Sequence, residues 1–157
     1  MDPSASNAHV LTVLLQSPDD TLLARVLRTT IERAWQTNDW QLKIRYSAQA
    51  KARFVFQPNT MPHYEGDMIV IDANLDFQDP SMSIMIQHEF GHILGFTDCY
   101  VQFYDPTEKM FINYQLDTAN IMCSRVGRVL PQHVAELKRS YLSTSDIGVP
   151  ERGTSGP

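Results

Sequence analysis

The sequence predicts an α+β fold, and three observations carry that expectation. Short apolar runs suited to strands fill much of the first half. Two long stretches repeat apolar residues at helical spacing, and a third such stretch lies near the end. No repeat or Gly/Ser-rich linker interrupts the 157 residues, which suit one domain over 1–157 with a core of its own. The core is expected over about 8–142, with a loose tail over about 147–157.

In chain order, residues 10–15 (VLTVLL) form an apolar run closed by Ser17-Pro18, which reads as a buried strand. Asp19-Asp20-Thr21 then offers capping chemistry for a helix to about residue 36. Leu22, Leu23, Val26, Leu27, Thr30, Ile31, Ala34 and Trp35 recur along it at helical spacing. Residues 42–47 and 52–57 alternate apolar with polar, and 68–71 is a compact apolar run. These predict three strands of one sheet. Asp79-Pro80-Ser81 supplies a cap with proline at the first helical position, opening a helix to about residue 94. Residues 101–104 and 110–114 flank Asp-Pro-Thr-Glu-Lys as a hairpin. A last helix runs over about 131–142 with Val134, Leu137 and Tyr141 on one face.

Composition narrows the function. Hydrophobic residues at 43% and charged residues at 20% are ordinary globular values. A net charge of −5 argues against nucleic acid or an anionic membrane as the main partner. No apolar run approaches the ~20 residues of a membrane span. The opening MDPSASNAH lacks the layout of a signal peptide. The expectation is therefore a cytosolic protein or a chain that begins after a signal or pro-segment.

The chemistry concentrates in residues 88–98, HEFGHILGFTD. Four helical residues advance about 6 Å and turn about 400°, so His88 and His92 share a face one turn apart and can converge on one metal ion. Glu89, about 100° around the helix, can lie beside the ion without ligating it and take a proton from water. Asp98 would be about 9 Å beyond His92 if the helix continued, so the chain must turn back. Gly95 is the residue type that permits this turn. Two histidines and a carboxylate then close a three-ligand site with one open position, the layout of a catalytic zinc ion. A solvated helix face would be the plain alternative. Met82, Ile84, Met85, Ile86, Phe90, Ile93 and Leu94 instead surround the motif with apolar side chains, among which two histidines and a glutamate need partners.

His88-Glu89-x-x-His92-x-x-Gly95-x-x-Asp98 resembles the motif of the metzincin metallopeptidases, in the variant with Asp as third ligand found in snapalysin-like enzymes. The resemblance implies a mixed twisted sheet with two long helices in an upper half. Below it would lie a small irregular half with a C-terminal helix and a Met-containing turn beneath the zinc. Asn120-Ile121-Met122-Cys123 fits that turn by placement, with Met122 as its methionine. It further implies one catalytic Zn²⁺, a zinc-dependent endopeptidase with Glu89 as general base and acid, and an extended protein or peptide substrate pairing with the edge of the upper sheet. An inhibitor or pro-segment could restrain such an enzyme. Some metzincins carry a Tyr two residues after the turn's Met; here Ser124 stands there, leaving Tyr100, Tyr104 and Tyr114 as candidates to support the oxyanion. Cys99 and Cys123, the only cysteines, each follow an element of the implied site, so a disulfide is expected and with it an oxidising compartment. Two buried thiols in a cytosolic protein are the alternative.

Two other classes compete: a silent zinc-containing module that binds peptide or protein, and a zinc hydrolase of small peptides or amides. The intact Glu89 and open fourth position speak against the first. Asp72-x-Asn74-x-Asp76 looks like a calcium loop, but Phe77 stands where an EF-hand needs glycine, so turn and cap chemistry is the better account. His9, His63 and His133 read as surface or packed histidines. His63-Tyr64-Glu65-Gly66 is a lesser candidate for a substrate rim, as Arg125 and Arg128 are for a specificity wall. Oligomeric state leaves no mark on the sequence.

Overall fold

The computed structural model describes residues 9–77 and 79–142; the expected loose tail lies outside them. The fold is mixed α+β, with three helices among the described residues. Strand β1 (His9–Leu15) leads through helix α1 (Thr21–Ala34) to β2 (Trp40–Tyr46), which pairs parallel to β1. Such a pairing needs the crossover that α1 provides. Helix α1 starts where the Asp20 carboxylate accepts from the backbone N–H of Leu22 at 2.8 Å and Leu23 at 3.1 Å. It buries Ala24, Leu27 and Ile31, and β2 buries Trp40, Leu42 and Ile44 in strict alternation.

Strands β3 (Arg53–Gln57) and β5 (Met68–Asp72) pair parallel, and β4 (His63–Glu65) adds antiparallel to the outer side of β5. The expectation of one sheet through residues 42–47, 52–57 and 68–71 is therefore corrected. Strand β2 takes its ladder from β1, while β3, β5 and β4 form a separate three-stranded sheet. At the corner between them the Gln16 N–H donates to the Ala52 carbonyl at 2.8 Å. Strand β4 has no signature in the sequence, because its three residues are all exposed and show no alternation. It makes β4, and not β5, the open edge.

Helix α2 (Pro80–Ile93) is capped by Asp79, whose carboxylate accepts from Ser81 N–H at 2.8 Å, with Pro80 at the first position. It packs against α1 and reaches β4. The hairpin of β6 (Tyr100–Asp105) and β7 (Met110–Gln115) follows, and helix α3 (Pro131–Leu142) ends the described chain. One hydrophobic core joins these parts: Leu27, Ile31 and Trp35 of the first helical segment, Ile69 and Ile71 of β5, Ile86 and Phe90 of α2, Ile121, and Leu137 of α3. No helix among the described residues is long and apolar enough to cross a membrane.

Candidate metal centre

Helix α2 delivers His88, Glu89 and His92 on its inner side and then stops abruptly. The Gly95 N–H donates to the His92 carbonyl and the Phe96 N–H to the Gly91 carbonyl, both at 3.0 Å. With Gly95 at φ +98°, this is a Schellman ending, which a side chain at position 95 would strain. The chain reverses, and Asp98 comes back over the helix.

The result is a convergence of three electron-pair donors. Asp98 Oδ1 lies 3.1 Å from His88 Nε2 and 3.4 Å from His92 Nε2. The imidazole rings stand at 88° to each other. Each ring's other nitrogen faces a backbone carbonyl: His88 Nδ1 meets Ile121 O at 2.7 Å, and His92 Nδ1 meets Phe96 O at 2.9 Å. A carbonyl only accepts, so both Nδ1 atoms carry a proton, and the Nε2 atom of each ring is the one turned to the carboxylate. Three such atoms this close need a positive charge among them, which a proton or a metal ion can supply. A tetrahedral ion bound at ~2.0–2.1 Å sets its ligands about 3.3 Å apart, which matches the spacing here.

Glu89 sits beside this trio. One donor atom from each of His88, Glu89 and His92 lies within 4.8 Å of the others. The Glu89 side chain is buried, and its Oε2 has no hydrogen-bond partner in the protein. Burial pushes its carboxyl above the ordinary range, the two imidazoles pull it back, and Asp98 pushes it up again. A buried carboxylate oxygen without a partner, this close to two imidazoles, marks Glu89 as a candidate for proton transfer.

The floor of the centre is a tight turn, 120–124. Asn120 organises it: its side chain accepts from Met122 N–H at 2.9 Å, and its carbonyl accepts from the N–H groups of Cys123 and Ser124. Met122 is buried against Gly91, so close that a Cβ at 91 would fall 2.5 Å from its Sδ. Cys99 and Cys123 form a disulfide with Cα atoms 4.5 Å apart, and the Cys99 N–H donates to the Met122 carbonyl at 3.0 Å. The segment carrying Asp98 is thus stitched to the turn that orients His88. Gly127 closes the turn, and a Cβ there would lie 2.2 Å from the Asn120 carbonyl oxygen, with no flexible atom to yield. Gly127→Ala is expected to cost at least ~1–3 kcal/mol in thermal unfolding. By moving the Ile121 carbonyl off His88 it should also weaken any metal binding by the centre by roughly 10–100-fold in a chelator competition. Unchanged affinity would show that this carbonyl does not position His88.

The surroundings hold residues that sequence reasoning missed or left unresolved. Tyr64 of β4 stacks on His92, with ring centroids 5.4 Å apart, so the edge strand borders the centre. Among the three candidate tyrosines, Tyr100 is the one beside the centre. Burial first, and then the neighbouring Asp98 and Glu89 carboxylates, raise the pKa of its hydroxyl. Phe96, whose carbonyl orients His92, is held between Trp35 (stacked, 5.5 Å) and the buried His133 (5.1 Å). Only aromatic content hinted at this cluster. Ser124 is buried and donates to Gln115 at 3.0 Å, whereas Arg125 and Arg128 are exposed. Asp72 accepts from the N–H groups of Asn59 and Asn74, which is turn chemistry. His9 is exposed at the start of β1, outside this cluster.

No protein-family profile matches the sequence, and no curated protein does. Among solved structures the chain is similar to one described as "Structure of myroilysin", with a TM-score of 0.54 over 85% of this chain and 92% of that chain, at 12% sequence identity. At that identity the likeness speaks for the fold: this chain shares the architecture of myroilysin.

Proposed function

We propose that the chain is a zinc-dependent endopeptidase of metzincin type, one catalytic domain with His88, His92 and Asp98 as ligands and Glu89 as general base. The observation that carries it is the convergence of two imidazole Nε2 atoms on a carboxylate oxygen at 3.1 and 3.4 Å, with the buried Glu89, unpartnered at Oε2, alongside. The metallopeptidase-like fold shared with myroilysin supports it. So does Met122, buried against Gly91 of the histidine-bearing helix, as the methionine of a Met-turn would be.

A bound zinc ion would supply Lewis acidity, polarising the scissile carbonyl and acidifying water. The protein's own residues do the rest. Glu89 takes a proton from the attacking water and later passes it to the departing amine, a task its raised pKa suits. The carbonyls of Ile121 and Phe96 lock the histidine tautomers. Tyr100, close to Asp98 and Glu89, is the tyrosine available to donate to a developing oxyanion. Strand β4 offers its free edge to an extended peptide, with Tyr64 marking where that peptide passes His92. The disulfide favours an oxidising, extracytoplasmic setting.

The test is cleavage of a mixed peptide library by the protein with its zinc content determined. Stoichiometric zinc with cutting at internal bonds is the expected result. Zinc held without any cleavage would sink the enzyme and leave a metal-containing binding module.

A further inference from the structure

The hairpin β6–β7 stands apart from the core, its strands packing chiefly on each other, yet β6 starts two residues after Asp98 and β7 returns to end opposite that start. Tyr100, the first residue of β6, follows Asp98 by two positions and the disulfide-bonded Cys99 by one, and Gln115, the last of β7, accepts from Ser124. These two residues are cross-strand partners and share one face. The same face continues outward with the pair Gln102–Asn113 and then Tyr104–Phe111. It carries no charged residue, although the protein as a whole bears −5. At its far end Tyr104 and Phe111 lie 5.3 Å apart, yet are 51% and 71% exposed. A solvated hairpin needs no aromatic pair at its tip. A pair this exposed, on the face that begins two residues after Asp98, fits a surface for a chain leaving the site.

We propose that this face is a substrate-binding arm that holds an uncharged, apolar stretch of the polypeptide about four residues from the bond cut. Four residues separate Tyr100 from Tyr104, about 14 Å of strand, and an extended substrate covers that length in about four residues. The two carboxamides between can hydrogen-bond its backbone, and the aromatic pair receives its apolar side chain. The arm deepens the endopeptidase reading and rests on it.

The experiment compares zinc-loaded wild type with Tyr104→Ser/Phe111→Ser on two peptide sets sharing a cleavage site. One set ends two residues from the bond on each side, and the other extends six residues each way with leucine walked through the outer positions. We expect the wild type to favour leucine about four residues out on one side. The variant should lose about tenfold in kcat/KM on those long peptides and nothing on the short ones. Phe103→Ser/Tyr114→Ser, which removes the stacked pair of the opposite face, should leave both sets unchanged and controls for loosening of the hairpin. Equal loss on long and short peptides, no loss at all, or the same loss from the opposite face would each overturn the arm. Wild type that cuts neither set overturns the peptidase reading, and the arm with it.

Discussion

Glu89→Ala is expected to keep its zinc and to lose peptide cleavage by about 10²–10⁴-fold, the usual weight of a positioned acid–base group. Zinc retention is expected because the converging atoms belong to His88, His92 and Asp98, whereas Glu89 Oε2 points at nothing in the protein. Side-by-side metal analysis and kinetics decide it. A mutant that loses zinc and activity together would make Glu89 a ligand. The same residue makes a second, independent prediction in zinc-free protein. Burial raises the Glu89 pKa above its ordinary 4.5, so the folded state prefers the protonated form. Its favourable contribution is fully present below about pH 4.5 and is lost as pH rises through the raised value. Zinc-free Glu89→Gln should therefore be more stable than zinc-free wild type at neutral pH, and the advantage should shrink as pH falls toward 4.5. Denaturant titrations at three pH values would show an advantage that stays constant if burial is not the cause.

Breaking the Cys99–Cys123 bridge carries the largest expected loss of stability. The two residues are separated by 24 positions, and a loop of that length corresponds to about 3–4 kcal/mol of lost chain entropy in the unfolded state. For a protein of this size the melting temperature should fall by on the order of 10 °C in the Cys99→Ala/Cys123→Ala double variant. Zinc affinity should fall too, because the bridge fixes Asp98 relative to the turn that carries the His88-orienting carbonyl. Thiol titration of the unfolded, unreduced protein should find no free thiol, since the chain has no other cysteine. A variant that melts as wild type does would remove the bridge from any structural role.

Much of this was readable where the physics is local. Asp20 and Asp79-Pro80 mark the two long helices because an N-cap needs only its own next three residues. The approach of Asp98 to His88 and His92 follows from helical spacing and one glycine, all within a single stretch of chain. What stayed hidden depends on distant partners. Nothing in the sequence says that residues 121 and 96 lend their carbonyls to the imidazoles, because backbone groups are the same everywhere. Nor does anything announce that β2 pairs with β1 instead of joining β3 and β5, since alternation fixes which face is buried but not which neighbour is paired. Strand β4 was invisible for a related reason: an exposed three-residue edge has no pattern to read, and the stacking of Tyr64 on His92 appears only once it is folded.

That division of the strands has a consequence for how the molecule opens. Between the β1–β2 pair and the β3–β5–β4 sheet, one backbone hydrogen bond among the described residues, from Gln16 to Ala52, bridges the corner. With so little ladder across the crease, side-chain packing in the shared core joins the two sheets, and their ladders are expected to exchange amide protons at different rates. Strand β4 and helix α2 meet across the metal centre, and β4 belongs to the second sheet. An opening of β1–β2 would thus leave the histidine-bearing helix beside strand β4, while an opening of the second sheet would part them.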